Sequence, residues 1–230
     1  MKIRQLLIIF KRNEGFLKSA GWMVSRPDSA RWWGGVKNPE EVAITAILVQ
    51  LSTWTGVEKI LKILREDGLT RLVNLKDVEV KELEDLIRPV GLWKEKAKRL
   101  IEIASKVEGV GGLGKLRKTK NSRDFLLSIK GIGKETADSI SLFALNNPTI
   151  PISNYVRVVL GRIGMIDPMQ SYEGLREKLK METRDDIYDL KLLYAGVTSI
   201  GRIACKKKPK CTLCPLKDEC SFALSIFVCH

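Results

Sequence analysis

No cysteine occurs in the first 204 residues of this 230-residue chain, and all five lie between Cys205 and Cys229. No apolar run approaches the roughly 18 residues that a membrane-spanning helix needs, so no membrane span is expected. The segment from Met1 through the short apolar patch Leu6 to Phe10 lacks a long hydrophobic region and a small-residue cleavage site. The expectation is therefore an unsecreted, cytoplasmic protein in a reducing compartment. There, clustered cysteines make poor disulfides and good metal ligands. Sustained strand alternation, low-complexity tracts and a repeat array are missing too, which leaves neither a β-rich nor a disordered reading.

What is present is an ordinary globular composition, 44% apolar and 29% charged, long enough for one large domain or two small ones. Forty Lys and Arg against 27 Asp and Glu leave a net charge of +13. Such an excess points to a polyanionic partner, nucleic acid or an anionic membrane surface, without choosing between them. Helical spacing dominates. From Val42 to Leu64 apolar residues recur at Ile44, Ile47, Leu48, Leu51, Trp54, Val57, Ile60, Leu61 and Leu64, the i, i+3, i+4, i+7 pattern of one amphipathic face. Asn38 before Pro39, with Glu41 three residues on, reads as the helix start. Further helices are expected at about 79–88, 94–107, 122–129, 134–146, 154–164, 172–180 and 185–199, with a glycine-rich loop from Glu108 to Gly114 and a breaker at Asn146-Asn147-Pro148. The chain reads as all-α.

Ile129-Lys130-Gly131-Ile132-Gly133-Lys134-Glu135-Thr136-Ala137 sets two glycines around one apolar residue just before a helix. Glycine allows tight backbone angles and close approach of a ligand, and a helix start presents N–H groups to phosphate. A plain helix-helix turn with glycine at the C-cap has the same bare Gly-X-Gly. A fainter echo of this layout lies at Pro89-Val90-Gly91-Leu92-Trp93.

Cys205, Cys211, Cys214 and Cys220 form C-x5-C-x2-C-x5-C, close enough for four thiolates to converge on one metal centre, either an iron-sulfur cluster or structural zinc. Lys206, Lys207, Lys208 and Lys210 fall within the first spacer. Cys229 stands outside the pattern and is expected to be a free tail residue.

The pattern Leu-x-x-Ile-x-Gly-Ile-Gly-x-x-Thr-Ala from Leu126 to Ala137, the run from Ile47 to Trp54, Ile87-Arg88-Pro89-Val90-Gly91 and the cysteine spacing together resemble the endonuclease III, or helix-hairpin-helix, superfamily of DNA glycosylases. The likeness is nearest to its branch of 3-methyladenine-type enzymes. It implies an all-α two-domain fold, with residues 37–151 carrying the hairpin and residues 1–36 plus 152–230 forming a domain around a C-terminal [4Fe-4S] loop. The family's spacing is C-x6-C-x2-C-x5-C, so the first spacer here is one residue shorter. The implied partner is double-stranded DNA with a damaged or mismatched base, bound near the nucleoid by a monomer. Such proteins extrude a base from the stack. Gln50 matches the family's wedge glutamine, and Trp54, one turn on, matches a base-pocket aromatic or is ordinary core. Gly131, Gly133 and Lys134 fall at the phosphate grip.

Two positions depart from the family. The lysine that forms a Schiff base in its lyases is Glu135 here, which cannot form an imine. The catalytic aspartate position is Ser153, which can cap a helix but carries no charge. The resemblance thus implies N-glycosidic hydrolysis without efficient abasic-site lyase activity. A silent DNA-binding protein, an abasic-site lyase using another amine, and an enzyme relying on Glu135 or Asp167 remain open.

Overall fold

The computed structural model describes residues 1–227; Cys229 lies outside them. Among the described residues there is no strand, and no helix is long and apolar enough to cross a membrane. The chain divides into two compact units, Val36–Asn147 and Met1–Gly35 with Pro148–His230.

The first of these units is built on α3 (Pro39–Leu48), in which every residue from Glu41 to Leu48 is buried. Packed on it are α4 (Trp54–Glu66), α7 (Trp93–Gly109) and α10 (Lys134–Phe143), while α5 (Leu72–Leu75), α6 (Val80–Leu86) and α8 (Gly112–Arg117) lie against α7 or α4, and α9 (Ser122–Leu127) against α10. Asn38 caps α3, its Oδ1 accepting from the Glu41 N–H at 3.0 Å. The apolar period from Val42 to Leu64 is not one helix. It breaks over residues 49–53, where Leu51 takes φ +52° and the Thr53 hydroxyl starts α4 by accepting from the Gly56 N–H. Both helices point apolar residues inward, so the period runs through a break that only the Ser52-Thr53 capping signal marks. The expected glycine-rich loop likewise holds a helix, α8, because Leu113 and Leu116, one turn apart, bury together.

The other unit surrounds α13 (Ile187–Ile203), packed by α1 (Ile3–Arg12), α2 (Glu14–Ser19) and α11 (Asn154–Arg162). α12 (Tyr172–Glu182) and a terminal α14 (Ser221–Phe227) complete it. The Phe10 ring lies directly on Gly196, occupying the space a Cβ would need.

The buried carboxylates Glu41 and Asp138 are each paired with an arginine, Arg65 and Arg123. Glu41, 1% exposed, accepts two bonds from the Arg65 guanidinium at 2.7 and 2.8 Å and one from the Lys37 N–H at 2.7 Å. Burial works to raise its pKa, but the Arg65 bonds and the Lys37 amide outweigh burial and hold it below its ordinary 4.5. Its folded-state pKa being depressed, the stabilisation is complete above that value and drains away as pH falls below it. Glu41→Gln should therefore cost about 3 kcal/mol in denaturant unfolding at neutral pH, with the gap to the native chain closing as pH drops below 4.5.

Candidate nucleic-acid interface

The Gly131-Ile132-Gly133 turn joins α9 to α10. Ile129 and Ile132 are buried and anchor it, while Gly131 and Gly133 are exposed. Gly131 has φ +82°, a left-handed conformation suited to glycine, and a Cβ there would overlap the Arg99 guanidinium. Gly133 is the N-cap of α10 and supplies no side-chain cap, so the helix start presents backbone N–H groups and the positive end of its dipole. Lys134 and Glu135 follow, both reaching solvent. Enough protein surrounds Glu135 that desolvation raises its carboxyl pKa above the ordinary value.

A second feature of the same unit is the turn at residues 49–53. Lys96, fully buried, donates through Nζ to the Leu48 carbonyl at 2.8 Å and to Ser52 Oγ at 2.9 Å, one on each side of the turn. Gln50 is half-buried and its amide is engaged at both ends: Arg99 Nη1 donates to Oε1 at 2.9 Å, and Nε2 donates to Thr136 Oγ1 at 2.9 Å. Leu51, beside it, is 86% exposed in the left-handed region, a conformation that costs an L residue about 1–2 kcal/mol. Gly91 of the neighbouring turn is placed so that a Cβ would meet the Leu51 carbonyl at 3.4 Å, and the adjoining Leu92 is also exposed with φ +58°. Trp54 opens α4, whereas Gln50 lies in the turn before it; Trp54 is half-buried, and its indole N–H donates to Glu58.

Helix α7 links these features. Its apolar side, Ala97, Leu100, Ile103, Ala104 and Val107, is buried. Its polar side carries Lys96 and Arg99 to the 49–53 turn, Glu102 Oε1 to the Lys130 N–H at 3.5 Å and Lys106 Nζ to the Ser128 carbonyl at 3.4 Å. Sequence reading missed Lys96, Arg99, Ser52 and Thr136. The spacing of Lys96, Arg99, Glu102 and Lys106 along one helical side was the available sign.

The other unit holds the remaining predicted residues. Ser153 is 4% exposed with extended backbone and caps α11, its Oγ accepting from the Val156 N–H at 3.4 Å. The cysteines follow the end of α13: Cys205, then Cys211 opening a short 3-10 turn that Cys214 ends, then the buried Cys220. Among the described residues no group of three or more His, Cys, Asp or Glu lies at metal-holding distance. The thiols are nevertheless within electrostatic reach of one another: burial first, and then the other cysteines, push Cys214 up to about 11 and raise Cys211. Arg162 Nη1 donates to Cys205 Sγ at 3.1 Å. Four thiols on one short loop, mutually opposed and served by a guanidinium, are chemically suited to a cationic metal centre that would take them as thiolates.

The family model described as HhH-GPD superfamily base excision DNA repair protein matches residues 44–184. A chain of Methanocaldococcus jannaschii assigned as a DNA repair glycosylase is 34% identical over 194 residues, 82% of this chain and 88% of that one. Endonuclease III of Thermotoga maritima is 28% identical over 187 residues, 80% of this chain and 84% of the relative. This chain therefore belongs to the HhH-GPD superfamily of base excision DNA repair proteins, the helix-hairpin-helix glycosylases. Solved structures share the fold: H. pylori 3-methyladenine DNA glycosylase bound to 1,N6-ethenoadenine superposes with a TM-score of 0.72 at 21% identity, covering 88% of this chain and 98% of that one. A non-covalent endonuclease III–DNA complex gives 0.70 at 22% identity, covering 99% of each chain.

Burial, and then the nearby Arg99, lower the Lys96 pKa from 10.5 to about 8. Between those values the unfolded chain holds the proton and the folded chain does not, so raising pH favours the folded state. The urea midpoint should rise as pH climbs from 8 toward 10.5, and Lys96→Met should lose that rise.

Proposed function

We propose that this chain excises a damaged or mismatched base from double-stranded DNA by hydrolysing its N-glycosidic bond, without efficient abasic-site lyase activity. The observation that carries the reading is the rigid pairing, within one unit, of an uncapped glycine-hairpin helix start with the 49–53 turn, held together through Arg99, Gln50 and Thr136. Gly131, Gly133 and Lys134 grip backbone phosphates without reading sequence. Gln50 lies at the turn that meets the opened stack, and Trp54, held out of the core, offers an aromatic face to an extruded base. The excess of 13 positive charges supports a polyanionic partner.

In the reaction, water adds at the sugar's anomeric carbon and the base departs with the glycosidic electron pair, taking a proton. Glu135 is proposed as the carboxylate that receives the proton of the attacking water. Its raised pKa moves it toward neutral pH, where general-base work is effective. It forms no imine, so the strand is not cleaved by β-elimination. Ser153 occupies the family's aspartate position as a helix cap; an aspartate there would keep the cap and add a charge. The absent charge favours a second reading, a chain that recognises lesions without cutting.

Base release should be measured on duplexes carrying alkylated purines, oxidised pyrimidines, and thymine or uracil mismatches. The reading expects release by the native chain, a rate that climbs with pH through the raised Glu135 pKa, a loss of about a hundredfold or more in Glu135→Gln, and no borohydride-trapped adduct. Release by Ser153→Asp alone, or by neither protein with binding intact, would establish the silent reader.

Cys205, Cys211, Cys214 and Cys220 are proposed to hold a [4Fe-4S] cluster, with structural zinc as the alternative. When bound, the group would offset part of the negative charge of the four thiolates and tie the loop to the end of α13, while Lys206, Lys207, Lys208 and Lys210 face phosphate. Elemental analysis of the purified protein should give about four iron atoms per chain, lost with the visible absorbance in Cys214→Ser; about one zinc would overturn the cluster assignment.

A further inference from the structure

Resting on the proposed reading that the glycine hairpin grips a DNA phosphate, we infer that Arg99 of α7 is a further ligand of that same phosphate, a cation brought to the hairpin from outside it. Gly131 has no Cβ, and the Arg99 guanidinium fills the space one would need, so a cation lies directly against the backbone of the turn. The side chain is half-buried and still reaches solvent. Among the described residues its one hydrogen bond runs from Nη1 to Gln50 Oε1 at 2.9 Å, which leaves Nε and Nη2 with donors to spare. No carboxylate pairs with it there either. Glu102, one turn further along α7, is turned to Lys106 at 3.4 Å and to the Lys130 N–H. Lys96, one turn the other way, is met by the Leu48 carbonyl and the Ser52 hydroxyl, both neutral. Two cations with neutral partners thus stand side by side next to the hairpin. Burial first, and then the charge of Arg99, hold the Lys96 pKa down at about 8, and an anion bound at the hairpin would relieve that repulsion.

The guanidinium is also held in place. Gln50 Nε2 donates to Thr136 Oγ1 at 2.9 Å, and Thr136 lies in the first turn of α10, so Arg99, Gln50 and the helix start form one bonded chain. That chain fixes a planar fork of donors, the geometry that suits phosphate oxygens, against the turn whose N–H groups take the phosphate. Donors already held lose less freedom when the ligand arrives.

Each phosphate neutralised by a cation adds about 0.9 to the slope of log affinity against log salt on duplex DNA. Binding of the full chain to an undamaged duplex is therefore measured between about 50 and 200 mM salt. Arg99→Gln should bind about tenfold more weakly at the low end, and its slope should fall by about one, with its melting temperature showing a folded protein. Arg99→Lys, which keeps the charge, should hold the native slope. A loss in Arg99→Gln that is equal at every salt concentration, or a slope that falls in both variants, makes Arg99 a structural support alone; either overturns the assignment and leaves the proposed function standing. Should Arg99→Gln not fold, the native chain decides. Its Arg99 Nε–H resonance, identified by its absence from the spectrum of Arg99→Lys, should shift on adding the duplex, and a resonance unmoved at saturation overturns the assignment. A native chain without affinity for the duplex overturns the proposed function, and the Arg99 ligand with it.

Discussion

The grip proposed at the glycine hairpin and the form of the turn at residues 49–53 both depend on the polar side of α7. Lys96 closes the left-handed turn after α3, Arg99 ties that turn to Gly131 and, through Gln50, to Thr136, while Glu102 and Lys106 bond to the backbone on either side of Ile129. Two elements from distant stretches of sequence are thereby set on one scaffold. The Lys96 ammonium is fully buried, which is costly unless its donors are satisfied. Its donors go to the Leu48 carbonyl and the Ser52 hydroxyl, and both bear on the turn. A strained backbone persists because a buried amine and a part-buried guanidinium bond leave it little alternative.

That arrangement joins two unlike surfaces. The hairpin offers a helix start with no side-chain cap, the 49–53 turn offers an apolar tip, and Gln50 transmits the position of one to the other. The chemistry proposed on this frame lacks two charged groups that the resemblance would supply. Glu135 replaces an amine, removing imine chemistry, and Ser153 keeps a cap while removing a charge. A solvent-reaching carboxylate in the first turn of α10, its pKa raised by the protein around it, is then the proposed candidate for activating water.

Much of the fold was legible because its signals are local. The Asn38-Pro39 start, the Gly131-Ile132-Gly133 turn and the helical periods at 94–107 and 185–199 depend on neighbours in sequence, and the structure places helices there. The break at 49–53 was not legible from hydrophobic period, since two helices that bury the same side look continuous. Nor was α8, where glycine frequency outweighed the Leu113–Leu116 pair. At the site, Gln50 and the two glycines could be found from motif alone, whereas Lys96, Arg99 and Thr136 could not. Their roles come from partners 48, 49 and 86 residues away.

The central claim is that this protein opens duplex DNA and takes a base out of the stack. The measurement that bears on it most directly is the fluorescence of 2-aminopurine placed at a mismatched target position in a duplex titrated with the native chain. Extrusion removes stacking quenching, so the signal should rise on binding and saturate with the binding curve. Saturated binding with the probe still quenched would contradict the account and leave a protein that grips the phosphate backbone without opening the helix.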